Sequence, residues 1–131
     1  MIVLDASAAL ELLLNTEGGT RVSARIADPA ESLHSPHLLS VEVTQVLRRY
    51  ATTGSVATDV AVSALDDLAA LDIERYEHEP LLSRVWDLRD NVTAYDAVYL
   101  ALAEALDAPL LTFDSKLAAS PGHRAAIELL A

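Results

Sequence analysis

With 131 residues, 52% of them apolar, and a mean hydropathy of +0.27, the chain has the size and composition of one core-forming domain, which excludes a disordered tail. It has no cysteine, which excludes disulfide frameworks and thiolate metal sites. Twenty acidic residues against nine Lys plus Arg give a net charge of −11 and a pI near 4.5, so no broad basic face is available for nucleic acid. Metal ions can screen a carboxylate cluster and bridge it to phosphate, and a basic partner protein is a second way to match such a surface; the plainer reading of excess acid is solubility.

In chain order, Ile2 to Leu4 reads as a short buried strand, and Asp5-Ala6-Ser7 opens an Ala/Leu-rich helix, Ala8 to Leu14. Gly18-Gly19 reads as a break before a second helix from about Thr20 to Ala27, closed by Asp28-Pro29. Ser32 to Ser35 is a candidate strand. Pro36 precedes a long helix from about His37 to Ala51 that stops at Gly54. A helix over Val56 to Leu71, a strand over Asp72 to Glu77 and a helix from Glu79-Pro80 to Arg89 follow. The most apolar helix begins at Thr93 and ends before Pro109. Leu110 to Phe113 is a strand ended by Asp114, and Ile127 to Leu130 is a fifth strand or a helix end. Strands separated by helices imply parallel pairing with crossovers, so the expected architecture is α/β: a central parallel sheet of four to five strands flanked by helices, one domain over residues 1–131. The start of the chain lacks the pattern of a signal peptide, and no apolar run approaches the roughly 18–20 residues of a membrane span, so a cytoplasmic, membrane-free chain is expected.

Four acids draw attention. Asp5 and Asp114 each follow a strand, and if those strands are parallel both carboxylates leave the same sheet edge, where α/β proteins gather ligands. Each is also placed to cap a helix. Glu42 shares a helix face with Leu38, Leu39 and Val46, and an acid on an apolar stripe must be paired, protonated or bound to a cation. Arg48 or Arg49 is the competing partner. Asp96 stands in the first turn of the most apolar helix, where Thr93-x-x-Asp96 also resembles a capping box. An all-carboxylate set suits Mg²⁺ or Mn²⁺ and not Zn²⁺. Ser7 and Thr112 lie two residues from Asp5 and Asp114 and are placed to hold a carboxylate or a ligand water, or simply to bond locally. His34, His37, His78 and His123 show no metal-binding spacing and read as surface or loop residues.

The segments Ile-Val-Leu-Asp-Ala-Ser (2–7), Ser40-Val41-Glu42-Val43, Thr93-Ala94-Tyr95-Asp96-Ala97-Val98-Tyr99 and Leu110-Leu111-Thr112-Phe113-Asp114 resemble the PIN-domain family, most closely its VapC toxin branch, in order and spacing over nearly the whole chain. The resemblance implies a PIN fold and divalent-metal-dependent cleavage of RNA. It places Asp5, Glu42, Asp96 and Asp114 at the family's acidic positions, and Ser7 and Thr112 at its supporting polar positions. It further implies a homodimer and a cognate VapB-like antitoxin whose tail offers a basic side chain to the acidic site.

The expected reaction is hydrolysis of an RNA phosphodiester with Mg²⁺ (or Mn²⁺) held mainly by Asp5 and Asp96, and with Glu42 or Asp114 orienting the attacking water. Such a reaction needs no 2′-hydroxyl and leaves 5′-phosphate and 3′-hydroxyl ends. Arg48, Arg49, Arg84 and Arg89 are candidates for contacting the RNA backbone or an antitoxin. Two other readings stay open. A phospho-acceptor receiver domain would also gather acids at strand ends, although Asp5 lacks an acidic neighbour and Lys116 lacks the expected spacing. A catalytically silent binding module would use the acids only as caps.

Overall fold

Ile2–Leu4 forms strand β1, and all three of its residues are buried. An unbroken apolar run is what a strand covered on both faces requires. The computed structural model describes residues 1–131. After β1 come helices α1 (Ala6–Leu13) and α2 (Glu17–Arg25), strand β2 (Leu33–Pro36), helices α3 (Leu38–Thr53) and α4 (Thr58–Ala70), and strand β3 (Ile73–Tyr76). A 3-10 turn over Glu79–Leu81 leads into α5 (Leu82–Asp87), followed by α6 (Ala94–Leu106), β4 (Leu110–Thr112), α7 (Ser115–Ala118) and β5 (Ile127–Leu129).

The strands make one parallel sheet of five in the order β3-β2-β1-β4-β5. The α/β architecture expected from the sequence is present, and Ile127–Leu129 is a strand on the sheet edge. The chain adds β2 and β3 outward on one side of β1, then returns to the other side with β4. The direction of strand addition therefore reverses between β1 and β4, and a crevice opens there at the carboxyl ends of the strands. Val3 pairs with Leu110 and Leu4 with Leu111, which brings Asp5 and Thr112 side by side at that point.

α6 fixes the depth of the crevice. Its residues Ala97 to Ala103 are all buried, as expected for a helix that is apolar nearly all round. α3 is different: Leu39, Val43 and Leu47 face the core, while Glu42 lies at the half-buried edge of that stripe. No helix is long and apolar enough to cross a membrane.

Two expectations need correction. Gly18 and Gly19 do not break a helix; they lie inside the first turns of α2. The chain turns at Asn15, which has φ of 54°. The glycines are there for contact. A Cβ on Gly19 would stand 2.2 Å from the Glu11 carbonyl oxygen, and one on Gly18 would stand 2.9 Å from the Phe113 ring. The histidines are also not all surface residues. His34 is buried on β2 between Ser32 and Tyr76, and the His78 ring accepts the Leu38 N–H at the start of α3.

Candidate active site

Asp5 directly follows β1 and is 6% exposed. Its Oδ1 accepts the Ser7 hydroxyl at 2.6 Å and the Ala8 N–H at 2.9 Å, and its Oδ2 accepts the Thr112 hydroxyl. Asp5 is thus the N-cap of α1, as the capping alternative has it, but it is also the centre of a polar cluster. Ser7 and Thr112 cannot turn away from it. Each hydroxyl oxygen accepts a backbone N–H at 2.9 Å, from Phe113 and Asp114 respectively, and so aims its proton at the carboxylate. Burial pushes the Asp5 carboxyl up; the bonds from Ser7, Thr112 and Ala8 pull it back, and the charge of Asp114 adds to the rise.

Asp114 caps α7 with one oxygen, Oδ1, which takes the N–H groups of Lys116 and Leu117. Its other oxygen has no protein partner. Asp96 makes only half of a capping box: its N–H donates to the Thr93 hydroxyl at 3.2 Å, but its carboxylate gives nothing back. That carboxylate faces the cluster, and it is raised by burial and then by the charges of Asp114 and Asp5. Glu42 bonds neither Arg48 nor Arg49. Its Oε1 accepts the Tyr99 hydroxyl at 2.6 Å. Burial raises Glu42, Tyr99 offsets part of that, and Asp96 and Asp5 raise it further.

The four acids therefore sense one another across β1, α3, α6 and the end of β4, and none of them forms an ion pair with Lys, Arg or His. Charges left this way favour a bound cation. The donors are all oxygen, and no three His, Asp or Glu side chains form a preassembled ligand cage. The oxygen donor set is the feature that suits a hard cation such as Mg²⁺, which takes one or two carboxylates and keeps several waters.

A family model described as PIN domain matches residues 2–122. The chain belongs to the PIN-domain family. Its relatives include "Ribonuclease VapC1" of Mycobacterium tuberculosis, 43% identical over 98% of this chain and 96% of that protein. "Ribonuclease VapC12" of the same organism is 39% identical over the full length of both chains. The fold is similar to that of PAE2754 from Pyrobaculum aerophilum, with a TM-score of 0.73 and 26% identity over 96% of this chain and 81% of the other.

Within this PIN domain, hydrogen bonds join Asp5, Ser7, Thr112 and the Asp114 N–H at the β1–β4 switch point, and Glu42 and Asp96 lie near enough to feel the charge of Asp5. Tyr99 is a member of the site that sequence reasoning missed. It is 2% exposed in an apolar helix and reads as core, and only its hydroxyl, pushed well up in pKa by burial and by Glu42, reveals the contact. Arg84 is removed from the candidates for RNA contact, because its Nε and Nη2 donate to the two carboxylate oxygens of the buried Glu104 side chain, at 2.7 and 3.0 Å. Replacing Tyr99 with Phe keeps the ring and deletes the bond to Glu42. Cleavage should fall about ten- to a hundredfold, while the stability change stays near ~1 kcal/mol. Steady-state kinetics alongside thermal melting checks this, and unchanged kcat would remove Tyr99 from the site.

Proposed function

We propose that this chain is a divalent-metal-dependent endoribonuclease and the toxin of a VapBC-type toxin–antitoxin pair. The chemistry is supported by Asp5, Glu42, Asp96 and Asp114 lying near enough to influence one another's charge while none of them pairs with a protein cation. Asp5 and Asp96 are the main metal ligands, with Mg²⁺ as the favoured ion and Mn²⁺ as its substitute. When bound, the ion supplies charge neutralisation at the phosphate and acidifies a water. Ser7 and Thr112 hold Asp5 in one orientation. Glu42, anchored through Tyr99, and Asp114, with one oxygen unbonded, are the groups placed to orient water or accept its proton.

The names of the relatives at about 40% identity support the ribonuclease reading. One solved structure with this fold, at a TM-score of 0.71 and 15% identity, is VapBC2 from Rickettsia felis bound to a DNA fragment from its promoter. A VapB-like antitoxin is therefore the expected protein partner here; its basic tail would complement the unpaired acids, and the active form is a homodimer.

The test is digestion of total RNA with Mg²⁺, with Mn²⁺ and with EDTA, followed by mapping of the ends. Cleavage only with metal, leaving 5′-phosphate and 3′-hydroxyl ends, is expected. Cleavage in EDTA, or 2′,3′-cyclic phosphate ends, would overturn the reading.

A pH series adds an independent measurement. Asp5, Glu42 and Asp96 are all raised in the folded chain, so it holds protons that the unfolded chain releases near pH 4. Without metal, their contribution to stability therefore falls as pH climbs from about 4 through the raised values. His34 is lowered by burial and works in the opposite direction up to about 6.5. The carboxylate part is isolated by comparing melting temperatures with and without Mg²⁺. The stabilisation by Mg²⁺ should grow as pH rises from about 4, the ordinary carboxylate range, through the raised values, because ligation needs ionised carboxylates; a constant or shrinking effect would count against metal ligation by these groups.

A further inference from the structure

Beside Asp96 lies a groove of about 830 Å³, walled by the segments 89–93 and 116–121. Its size falls in the range of roughly 300–1,000 Å³ that small ligands fill. Lys116, the only lysine of the chain, lies on one wall and Arg89 on the other. Among the other cations, Arg25 pairs with Glu128, and Arg84 and Arg124 with Glu104. Arg89 and Lys116, like Arg21, Arg48, Arg49 and Arg75, have no carboxylate partner, and of these only Arg89 and Lys116 line the groove. Arg89 is also held in place, with its guanidinium 4.7 Å over the Trp86 ring and a bond of 3.0 Å to the Trp86 carbonyl. Just past the second wall, Gly122 packs against Asn91 of the first, where a Cβ would stand 2.1 Å from the Asn91 amide nitrogen. Val92 and Leu117 are apolar members of the lining, and Asp90 and Asp96 are its acids.

A chain of net charge −11 cannot collect a polyanion by general attraction, so local cations on the approach to the acids must do it. We propose that this groove is a nucleotide channel that seats the RNA strand flanking the scissile phosphate, with Arg89 and Lys116 each holding a phosphate. The proposal rests on the ribonuclease reading and adds the positions that set KM.

The test compares Arg89→Gln/Lys116→Gln with wild type on an RNA fragment that the wild-type chain cuts in a digest of total RNA. KM should rise about tenfold or more for the pair, with kcat within about twofold. In an Asp5→Asn background, anisotropy with a labelled twelve-residue single-stranded oligoribonucleotide in Mg²⁺ gives the salt dependence of binding. The double variant should lower the slope by about 1.4, from about 0.7 for each lost phosphate contact. Mn²⁺ binding, measured by calorimetry, and the melting temperature should not change. Arg124→Gln, which removes an exposed charge outside the groove, should leave KM and slope alone. Wild-type cleavage with unchanged KM and slope in the double variant would overturn the groove alone. An equal effect from Arg124→Gln would do the same, by reducing the effect to general charge. A double variant that handles RNA normally but escapes inhibition by the antitoxin would assign the groove to the protein partner instead. Absence of any RNA cleavage by wild type would remove the ribonuclease reading, and this proposal with it.

Discussion

Replacing Asp96 with asparagine is expected to cost at least about a hundredfold in RNA cleavage and, without metal, to make the protein more stable. The two effects have one cause. The Asp96 carboxylate accepts no hydrogen bond from the protein, so asparagine forfeits none. What the substitution removes is a half-buried charge raised by burial and by Asp114 and Asp5. Relief of that repulsion is on the order of 1 kcal/mol, or roughly 3–6 °C in melting temperature for a chain of this length. With saturating Mg²⁺ the order should invert, because the wild type gains binding energy that the variant lacks. Melting curves with and without Mg²⁺, read beside cleavage, check all three statements. An Asp96→Asn protein that melts below wild type in EDTA would show that the carboxylate is a structural support.

Asp5→Ala is expected to abolish cleavage and to destabilise the fold, by about 2–4 kcal/mol. Asp5 caps α1 through the Ala8 N–H, and loss of such a cap costs about 1 kcal/mol. It also receives the Ser7 and Thr112 hydroxyls, whose oxygens already accept backbone N–H groups. Alanine leaves those protons without their acceptor beside the fully buried Thr112, at about 1–3 kcal/mol for a buried unmet donor. The two carboxylates thus carry opposite expected signs in stability: one is bonded to the scaffold and the other accepts no bond from it. Denaturant unfolding in EDTA measures the difference, and equal behaviour of the two variants would contradict it.

The acids were legible in the sequence because their positions are abnormal locally. An Asp at the end of an apolar run or a Glu on an apolar stripe needs an explanation, and a short list of chemistries supplies one. Parallel strands followed from alternation with helices. What stayed hidden depends on contacts between distant segments. Tyr99 gives no local sign that its hydroxyl meets Glu42, 57 positions away. Arg84 looks free until Glu104 appears beside it. The Gly18-Gly19 pair reads as a breaker because propensity is local, whereas its role is set by Glu11 and by Phe113, nearly a hundred residues later. The four-residue α7 is too short to leave a periodic trace, and only Asp114 as its cap hinted at it.

The seating of β4 against β1 has a bearing on how the chain is made. Asp5 leaves the ribosome early, yet its partners Thr112 and Asp114 are synthesised more than a hundred residues later. Until that stretch clears the exit tunnel, the first strand lacks a neighbour on one side and its aspartate lacks the threonine that orients it. A nascent copy therefore carries Asp5 without the strand that orients it until Leu110–Thr112 has emerged and zipped onto the first strand.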